Sequence, residues 1–259
     1  MKNLTNQEIL NLAPSIGAIH PHEKVSSKYT FIPTIQIVDM LRAENWRPVK
    51  VQQSGAWKAE NQGFQKHLIR FQRPDLIVEN EAVEIILLNS HNRSCAYQLM
   101  AGVFRFVCSN GMVVGDTFNR MSIRHISNPA EEVIEASYKV IKEAPVIAGS
   151  FKKMKKIGLD VAERETYASA ALQLVYDDVK ESPVSVQQIL RPRRTADHEP
   201  DLWTTFNVVQ ENIIKGGLRG VSRKTGKRVT TRPVKSIDRD VKLNKALWTL
   251  TEKMKELKQ

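Results

Sequence analysis

Positive charge in this sequence is concentrated in one short segment, Lys215–Lys235. The segment contains no acidic residue, and glycine, serine and threonine separate its cations. Lys and Arg side chains neutralise phosphate charge, while small hydroxyls and backbone N–H groups hydrogen-bond to phosphate oxygens. We therefore expect a mobile, cationic loop that binds phosphate. Its basic residues are Lys215, Arg219, Arg223, Lys224, Lys227, Arg228, Arg232 and Lys235.

The distribution of charge along the chain favours this interpretation over a solvated loop without a partner. The protein has 259 residues and a formal net charge of +11. Residues 191–259 hold 17 Lys and Arg against 8 Asp and Glu, so the rest of the chain is nearly neutral. A field of this size favours a polyanionic partner. A second cluster is expected to extend the same surface, and it consists of Lys152, Lys153, Lys155 and Lys156.

Base-specific recognition is not expected from this sequence. It has no zinc-finger spacing, no basic zipper and no clear helix-turn-helix. Aromatic rings can stack the bases of single strands, although core packing is the commoner role of such rings. The candidates are Tyr97, Phe104, Phe106, Phe118 and Trp203. We therefore expect a sequence-tolerant nucleic-acid interface, with single-stranded DNA as the favoured ligand.

Two groups of residues resemble catalytic or metal-binding chemistry. His20 and His22 flank a proline, but a metal site needs three or four ligands in a defined geometry, so a loop is the better interpretation. His91 and Cys95 combine a base with a nucleophile, and Arg93 could lower the pKa of the thiol. This pair still needs a third, orienting group, so it remains an alternative only.

The carboxylates offer a further alternative. Asp177 with Asp178, and Asp197 with Glu199 and Asp201, could pair around Mg²⁺. No nuclease motif surrounds them, and the chain has neither a P-loop nor a G-x-G-x-x-G motif. Surface charge or helix N-capping explains these residues better. We therefore expect no catalytic residue, no metal site and no cofactor.

The elements that must position the basic residues follow from periodicity. A capping box at Thr5 and Glu8 predicts a first helix to Leu12, and a helix is expected from Pro33 or Thr34 to about Asn45. Alternating polar and apolar residues, with an Asn-Gly turn at 109–111, predict an antiparallel sheet. The expected strands are Tyr29–Ile32, Arg47–Gln53, His67–Gln72, Val83–Asn89, Gln98–Val107, Met112–Val114 and Phe118–Ile126.

The second half of the sequence switches to helical periodicity. The expected helices are Asn128–Glu143, a turn or short helix at Phe151–Ile157, Val161–Lys180, Asp201–Ile214 and Arg239–Lys258. Sheet first and helices afterwards is the α+β pattern. We divide the chain into a lead-in (1–28), an α+β core domain (29–190) and a basic helical C-terminal region (191–259).

Assembly and compartment follow from the apolar residues. Leucines and a methionine at alternating spacings of four and three between Leu243 and Leu257 form a short coiled-coil-like seam, which favours a homo-oligomer. No run of 18 apolar residues exists, the N-terminus lacks a signal-peptide pattern, and only Cys95 and Cys108 could form a disulfide. We therefore expect a cytoplasmic protein that does not bind membranes.

Two stretches of sequence are specific enough to indicate a family. The first reads NSHNRSCAY at Asn89–Tyr97, LMAG at Leu99–Gly102 and FRFVCSNGM at Phe104–Met112. The second reads TRPVKSIDRDVKLNKALW at Thr231–Trp248. Together they resemble the phage/plasmid-like protein family, a bacterial domain of unknown function found on prophages and plasmids. The resemblance runs from about Pro21 to Leu257 and implies a role on mobile DNA, without supplying catalytic residues.

Three functions from different classes remain open at this point. The leading one is a nucleic-acid-binding accessory protein of a phage or plasmid, which anneals or protects single strands in recombination or replication. The order of sheet and helices also resembles that of phage single-strand annealing proteins, by analogy of architecture alone. The second is an inhibitor that binds a host protein in counter-defence. The third is a hydrolase that uses His91 and Cys95 or a carboxylate pair.

Overall fold

A computed structural model describes residues 3–25, 31–56, 58–106, 110–113, 121–123 and 129–258. By their internal contacts, the residues form two units. The first is drawn from residues 1–105 and 116–145, and the second from 106–115 and 146–259. Within the described ranges, no helix is both long enough and apolar enough to cross a bilayer.

An antiparallel sheet forms the centre of the first unit. Its strands are β1 (Arg47–Gln53), β2 (His67–Val78), β3 (Glu81–Asn89), β4 (Tyr97–Arg105) and β6 (Met121–Ile123). Strands β1 to β4 are neighbours in sequence order, and β6 pairs with β4. Register places Leu68 opposite Leu88, and Ile86 opposite Met100. The α+β class predicted from periodicity is confirmed.

Two short helices accompany this sheet, α1 (Asn6–Leu12) and α2 (Thr34–Ala43). The Thr5 hydroxyl accepts from the Glu8 N–H, and the Glu8 carboxylate accepts from the Thr5 N–H, so the predicted capping box is present. Helix α2 has Ile37, Val38 and Leu41 buried. Both predicted helices are therefore confirmed, with α2 ending two residues earlier than expected.

The sheet is buried on both faces, and each face contains polar groups. On one face, Arg70 donates to Glu84 across 2.8 Å, and the Gln72 amide donates to the same carboxylate across 2.6 Å. On the other face, His67 and Asn89 both contact the Thr34 hydroxyl. Buried polar groups need such partners because an unsatisfied one is costly.

The second unit is mainly helical. It contains β5 (Asn110–Val113), α4 (Val161–Gln173), α5 (Val186–Ile189), α6 (Leu202–Lys215), β7 (Arg219–Val221), β8 (Arg228–Thr230) and α7 (Ile237–Leu257). Helix α3 (Pro129–Lys155) contributes its residues from Val146 onward. Short 3₁₀ turns lie at Pro14–Gly17, Ala59–Asn61, Val179–Glu181 and Thr195–Asp197.

An aromatic cluster forms the core of the second unit. Trp203 stacks on Phe151 with ring centroids 5.4 Å apart, and Trp248 meets Trp203 and Phe206 edge-on at 6.3 and 6.1 Å. These contacts join α3, α6 and α7, and such aromatic pairs stabilise a core beyond their buried area. Trp203, a candidate for base stacking in the sequence, is therefore a core residue.

Several predicted element bounds are wrong. Helix α3 continues through Pro145 to Lys155, whereas the sequence predicted an end near Glu143. A proline removes one hydrogen bond, but buried Ile147, Phe151 and Met154 continue the apolar stripe beyond it. Helix α4 ends at Gln173 rather than Lys180.

Some predicted strands and seams are only partly described. Phe31 and Ile32 lie outside any strand, and Tyr29, Thr30, Cys108 and Phe118 fall outside the described residues. The expected strand Phe118–Ile126 is described only at β6. In the predicted seam, Leu243 and Leu247 are buried in the second unit, whereas Leu257 is 83% exposed.

Candidate nucleic-acid interface

The middle of the basic segment forms a β-hairpin rather than the expected loop. Strands β7 and β8 pair with Arg219 opposite Thr230 and Val221 opposite Arg228. Their turn closes with a hydrogen bond from the Ser222 N–H to the Lys227 carbonyl at 2.9 Å. Gly226, with φ of +65°, occupies a conformation that side chains disfavour. The cations are therefore presented by a defined backbone.

The hairpin is attached to the second unit along one face. A Cβ atom on Gly220 would lie 2.0 Å from the Pro183 carbonyl oxygen, so the two backbones are in direct contact there. The Val221 N–H donates to the same oxygen at 3.0 Å. The Gln188 amide donates to the Arg219 carbonyl at 2.8 Å. Only glycine permits this approach.

The opposite face of the hairpin presents its cations. Side chains alternate along a strand, so Gly220 faces Pro183 whereas Arg219 and Val221 face away. Register places Arg228 and Thr230 on that outer face as well. All of these except Gly220 are exposed, and a shallow groove runs between them. Two guanidinium groups and one hydroxyl therefore share a surface that can follow a phosphate backbone.

The predicted cations of the hairpin are exposed and can contact a ligand. Arg219, Arg223, Lys227 and Arg228 are exposed, and none has an ion pair within 4.0 Å among the described residues. Lys224 approaches Glu181 at 3.8 Å, and both side chains are exposed. Such surface pairs are worth little, so Lys224 can exchange this partner for a phosphate.

Two predicted cations have partners within the second unit. The Lys215 ammonium contacts Glu211 at 2.8 Å. Burial raises the pKa of Glu211, but hydrogen bonds from Arg194 and Lys215 outweigh it, and the pKa stays below its usual range. The Lys155 ammonium lies over the Phe151 ring, 5.7 Å from its centroid. Both ammonium groups therefore already interact with other residues of the second unit.

The remaining lysines of the second cluster are exposed. Lys152, Lys153 and Lys156 lie at the end of α3, where positive side chains also complement the helix dipole. Lys155, between them in sequence, is half-buried because its side chain lies over the Phe151 ring. The second cluster thus contains three cations that solvent can reach.

The base of the hairpin continues as a paired segment. The Gly217 N–H donates to the Thr231 carbonyl at 2.8 Å, and the Thr231 N–H donates to the Leu218 carbonyl at 2.9 Å. The Val234 N–H donates to the Ile214 carbonyl at 2.8 Å. Residues 231–234 therefore lie alongside the end of α6 in a fixed position.

A cavity of about 350 Å³ opens beside this segment. The ends of α4 and α6, α5 and the start of α7 form its walls. Three cations lie in its lining, Arg232, Lys235 and Arg239, together with the ring of Tyr176. Burial raises the pKa of Tyr176, while the positive charge of Arg239 opposes the rise.

Several residues of the alternative sites have hydrogen-bond partners in the structure. The His22 ring bonds to the Glu60 carbonyl at 3.1 Å, and the His91 ring contacts the Thr34 hydroxyl at 3.1 Å. The Cys95 N–H donates to the Ser90 hydroxyl at 2.9 Å. Over the described residues, no three His, Cys, Asp or Glu side chains are grouped as metal ligands.

The carboxylates have structural partners. Asp201 caps α6 by accepting from the Thr204 N–H at 2.8 Å, as the sequence predicted. Asp197 is buried and pairs with Arg194 at 2.8 Å. Asp178 accepts from the Lys180 N–H at 2.8 Å. Each of the three contacts stabilises the local chain.

Comparison with known proteins gives the family. Residues 21–248 match the family described as Domain of unknown function (DUF932). The chain belongs to this family. It is similar to two proteins of Escherichia coli (strain K12), UPF0380 protein YfjQ and UPF0380 protein YafZ. Each is 39% identical over 249 residues, which is 96% of this chain and 90% of the relative. No solved structure matches the chain at a significant level.

The DUF932 match includes the hairpin and the whole lining of the cavity. Sequence reasoning missed Tyr176 and Arg239 as functional candidates, because they come from elements that only the fold brings together. A signal for Arg239 was available, since it lies within the Thr231–Trp248 stretch that carries the family resemblance. Tyr176 lies in no such stretch and follows the end of α4.

Proposed function

We propose that this chain binds nucleic acid through the phosphate backbone, with single-stranded DNA as its ligand. One observation carries the proposal. The hairpin Arg219–Thr230 holds five exposed cations and no carboxylate, and it is fixed to the second unit through Gly220. A fixed cationic surface without internal counterions favours a polyanion over solvent ions.

The mode of binding follows from the kind of side chain presented. The hairpin offers guanidinium, ammonium and hydroxyl groups, which contact phosphates and sugars and carry no sequence information by themselves. Its outer face is shallow, so it fits a strand lying across it. We therefore infer sequence-tolerant binding that weakens steeply with salt.

The cellular role is proposed from resemblance. The stretches Asn89–Met112 and Thr231–Trp248 resemble the phage/plasmid-like family, which implies a chain that acts on mobile DNA. We propose an accessory protein that binds or anneals single strands during recombination or replication of a phage or plasmid. The hairpin directly precedes the second of these stretches in the sequence, which supports assigning the binding function to the hairpin.

A salt titration with a hairpin variant tests the proposal. Arg223, Lys224, Lys227 and Arg228 are all replaced by Ala, and fluorescence anisotropy measures affinity for a single strand between 50 and 200 mM salt. Each phosphate contact contributes about 0.7 to the log–log slope. If all four engage phosphates, wild-type binding weakens on the order of 50-fold more than the variant over this range.

A charge-matched variant controls for the loss of net charge. Lys58, Lys139, Lys142 and Lys242 are exposed lysines outside the hairpin, and their replacement by Ala removes the same charge. This control should retain the wild-type slope. If the hairpin variant also retains it, or if wild type shows no affinity for DNA, the hairpin is not a nucleic-acid interface.

A further inference from the structure

The cavity beside the hairpin has the size and lining of a ligand site. Its volume of about 350 Å³ exceeds the voids left by ordinary packing. Buried Leu172, Val184 and Ile189 lie at its floor, and half-buried Ile213 and Leu218 lie along its wall. These apolar side chains offer a surface for an apolar or aromatic group, while the rest of the lining is polar.

The buried polar side chain in the lining, Asn212, already has its hydrogen-bond partners. The Asn212 amide donates to the carbonyls of Ile189 and Arg191 at 2.9 and 3.0 Å. Its oxygen accepts from the Arg193 guanidinium at 2.7 Å. Asn212 therefore fixes the wall and is not available to bind a polar ligand.

Positive charge is confined to one part of the lining. Arg232, Lys235 and Arg239 line the cavity, and no carboxylate does. These three are exposed, and none makes an ion pair among the described residues. An occupant that fits this lining combines an apolar part with an anionic group.

We infer that this cavity holds one unstacked nucleotide of the bound single strand, with its base on the apolar floor beside Tyr176 and its phosphate between Arg232, Lys235 and Arg239. The inference rests on the proposed function and adds to it the reason for a single-strand preference. Thr231 and Arg232 continue directly from β8, so a backbone that follows the hairpin reaches the opening of the cavity. A base in a duplex must be unpaired and unstacked before it can enter.

The test compares two ligands that differ only in their bases. One is a short oligothymidylate, and the other is an abasic oligonucleotide of the same length with the same phosphates. Stacking a base on an aromatic ring changes affinity on the order of tenfold, so wild type should prefer oligothymidylate by about this factor. The hairpin cations contact phosphates and should contribute equally to both ligands.

Filling the cavity should remove this preference. Ile213→Trp places a large side chain in the cavity, whereas Ile214→Trp alters the next residue of α6, which is also half-buried and lies outside the lining. We expect Ile213→Trp to bind the two ligands equally and Ile214→Trp to keep the preference. Tyr176→Leu keeps an apolar side chain without the ring, and it should also lose the preference. This second variant tests the inference even if Ile213→Trp fails to fold.

The possible outcomes separate the two proposals. If wild type binds both ligands equally, with a salt slope that depends on the hairpin, the cavity inference is wrong and the proposed function stands. If wild type binds neither ligand, both are wrong. If thymidine monophosphate binds the cavity as tightly as the oligonucleotide does, the site takes a free nucleotide and the inference for a bound strand is overturned.

Discussion

Gly220 lies so close to Pro183 that a Cβ atom on residue 220 would fall 2.0 Å from the Pro183 carbonyl oxygen. The hairpin can therefore rest on the second unit only if this position carries no side chain. The Val221 N–H donates to the same oxygen at 3.0 Å. A change at residue 220 should therefore affect both the stability of the unit and the position of the cationic surface.

Gly220→Ala should displace the hairpin and destabilise the protein. The added methyl group meets backbone atoms, so relief requires a backbone shift at a cost of about 1–3 kcal/mol. Gly149→Ala is the matched control, because residue 149 lies in α3 with open space around its Cβ position. That change should stabilise by about 0.5–1 kcal/mol. Urea denaturation measures both, and equal effects would contradict the proposed contact.

The stability of the first unit should fall in mild acid because of His67. The ring is fully buried between the Ser15 and Thr34 hydroxyls, at 2.9 and 3.0 Å. Burial, helped by the neighbouring His91, lowers the pKa of His67 from 6.5 to about 3. Between these values the unfolded chain binds a proton that the folded chain does not. Stability is therefore fully present above pH 6.5 and decreases by about 1.4 kcal/mol per pH unit below it.

His67→Gln isolates this effect from other titrating groups. Glutamine keeps a polar side chain at the site but does not titrate. Unfolding free energies from urea denaturation between pH 4 and 6 should show a slope about 1.4 kcal/mol per pH unit shallower in His67→Gln than in wild type. Parallel pH profiles would show that His67 is protonated in the folded protein.

Removing one partner of the buried ion pair in the sheet should destabilise the protein more than removing both. Arg70 and Glu84 are 2% and 0% exposed and lie 2.8 Å apart. Arg70→Met leaves the Glu84 carboxylate buried without its cation and should cost about 3–5 kcal/mol. Adding Glu84→Leu should recover much of that loss, because paired apolar replacements of buried ions are often nearly neutral. Additive losses in the double variant would contradict this account.

The sheet could be predicted from the sequence because its signal is local. Alternation along residues 67–72 and 83–89 and the capping box at Thr5 each depend on residues close in the chain. Strands β7 and β8 are only three residues long, and their turn lacks the two-residue Asn-Gly pattern. Gly220 and Val221 of β7 also contact the Pro183 carbonyl, a tertiary contact that periodicity does not encode.

The candidate site was predictable in its composition and not in its geometry. The sequence located the cations of the hairpin, yet it did not distinguish exposed Lys153 from half-buried Lys155, which lies over the Phe151 ring. That distinction depends on which side of α3 faces the aromatic core. The cavity required tertiary structure altogether, since Tyr176 and Arg239 come from separate elements.

This difference among the lysines of α3 yields a last prediction. Lys155 is half-buried, and its ammonium lies over the Phe151 ring at 5.7 Å. Lys155→Ala should therefore cost about 1 kcal/mol of stability through the loss of this contact. It should leave the salt slope of DNA binding unchanged, because its ammonium already contacts an aromatic ring within the unit.

The exposed neighbours of Lys155 should behave in the opposite way. Replacing Lys152, Lys153 and Lys156 together by Ala should leave unfolding unchanged within about 0.5 kcal/mol, since exposed substitutions rarely matter more. If these lysines extend the interface, the log–log salt slope for a single strand should fall by about 0.7 for each one that contacts a phosphate. Calorimetric melting and anisotropy titrations on the two variants provide both readouts. An unchanged slope in the triple variant would confine the interface to the hairpin, whereas a flattened slope in Lys155→Ala would mean that Lys155 leaves the Phe151 ring when DNA binds.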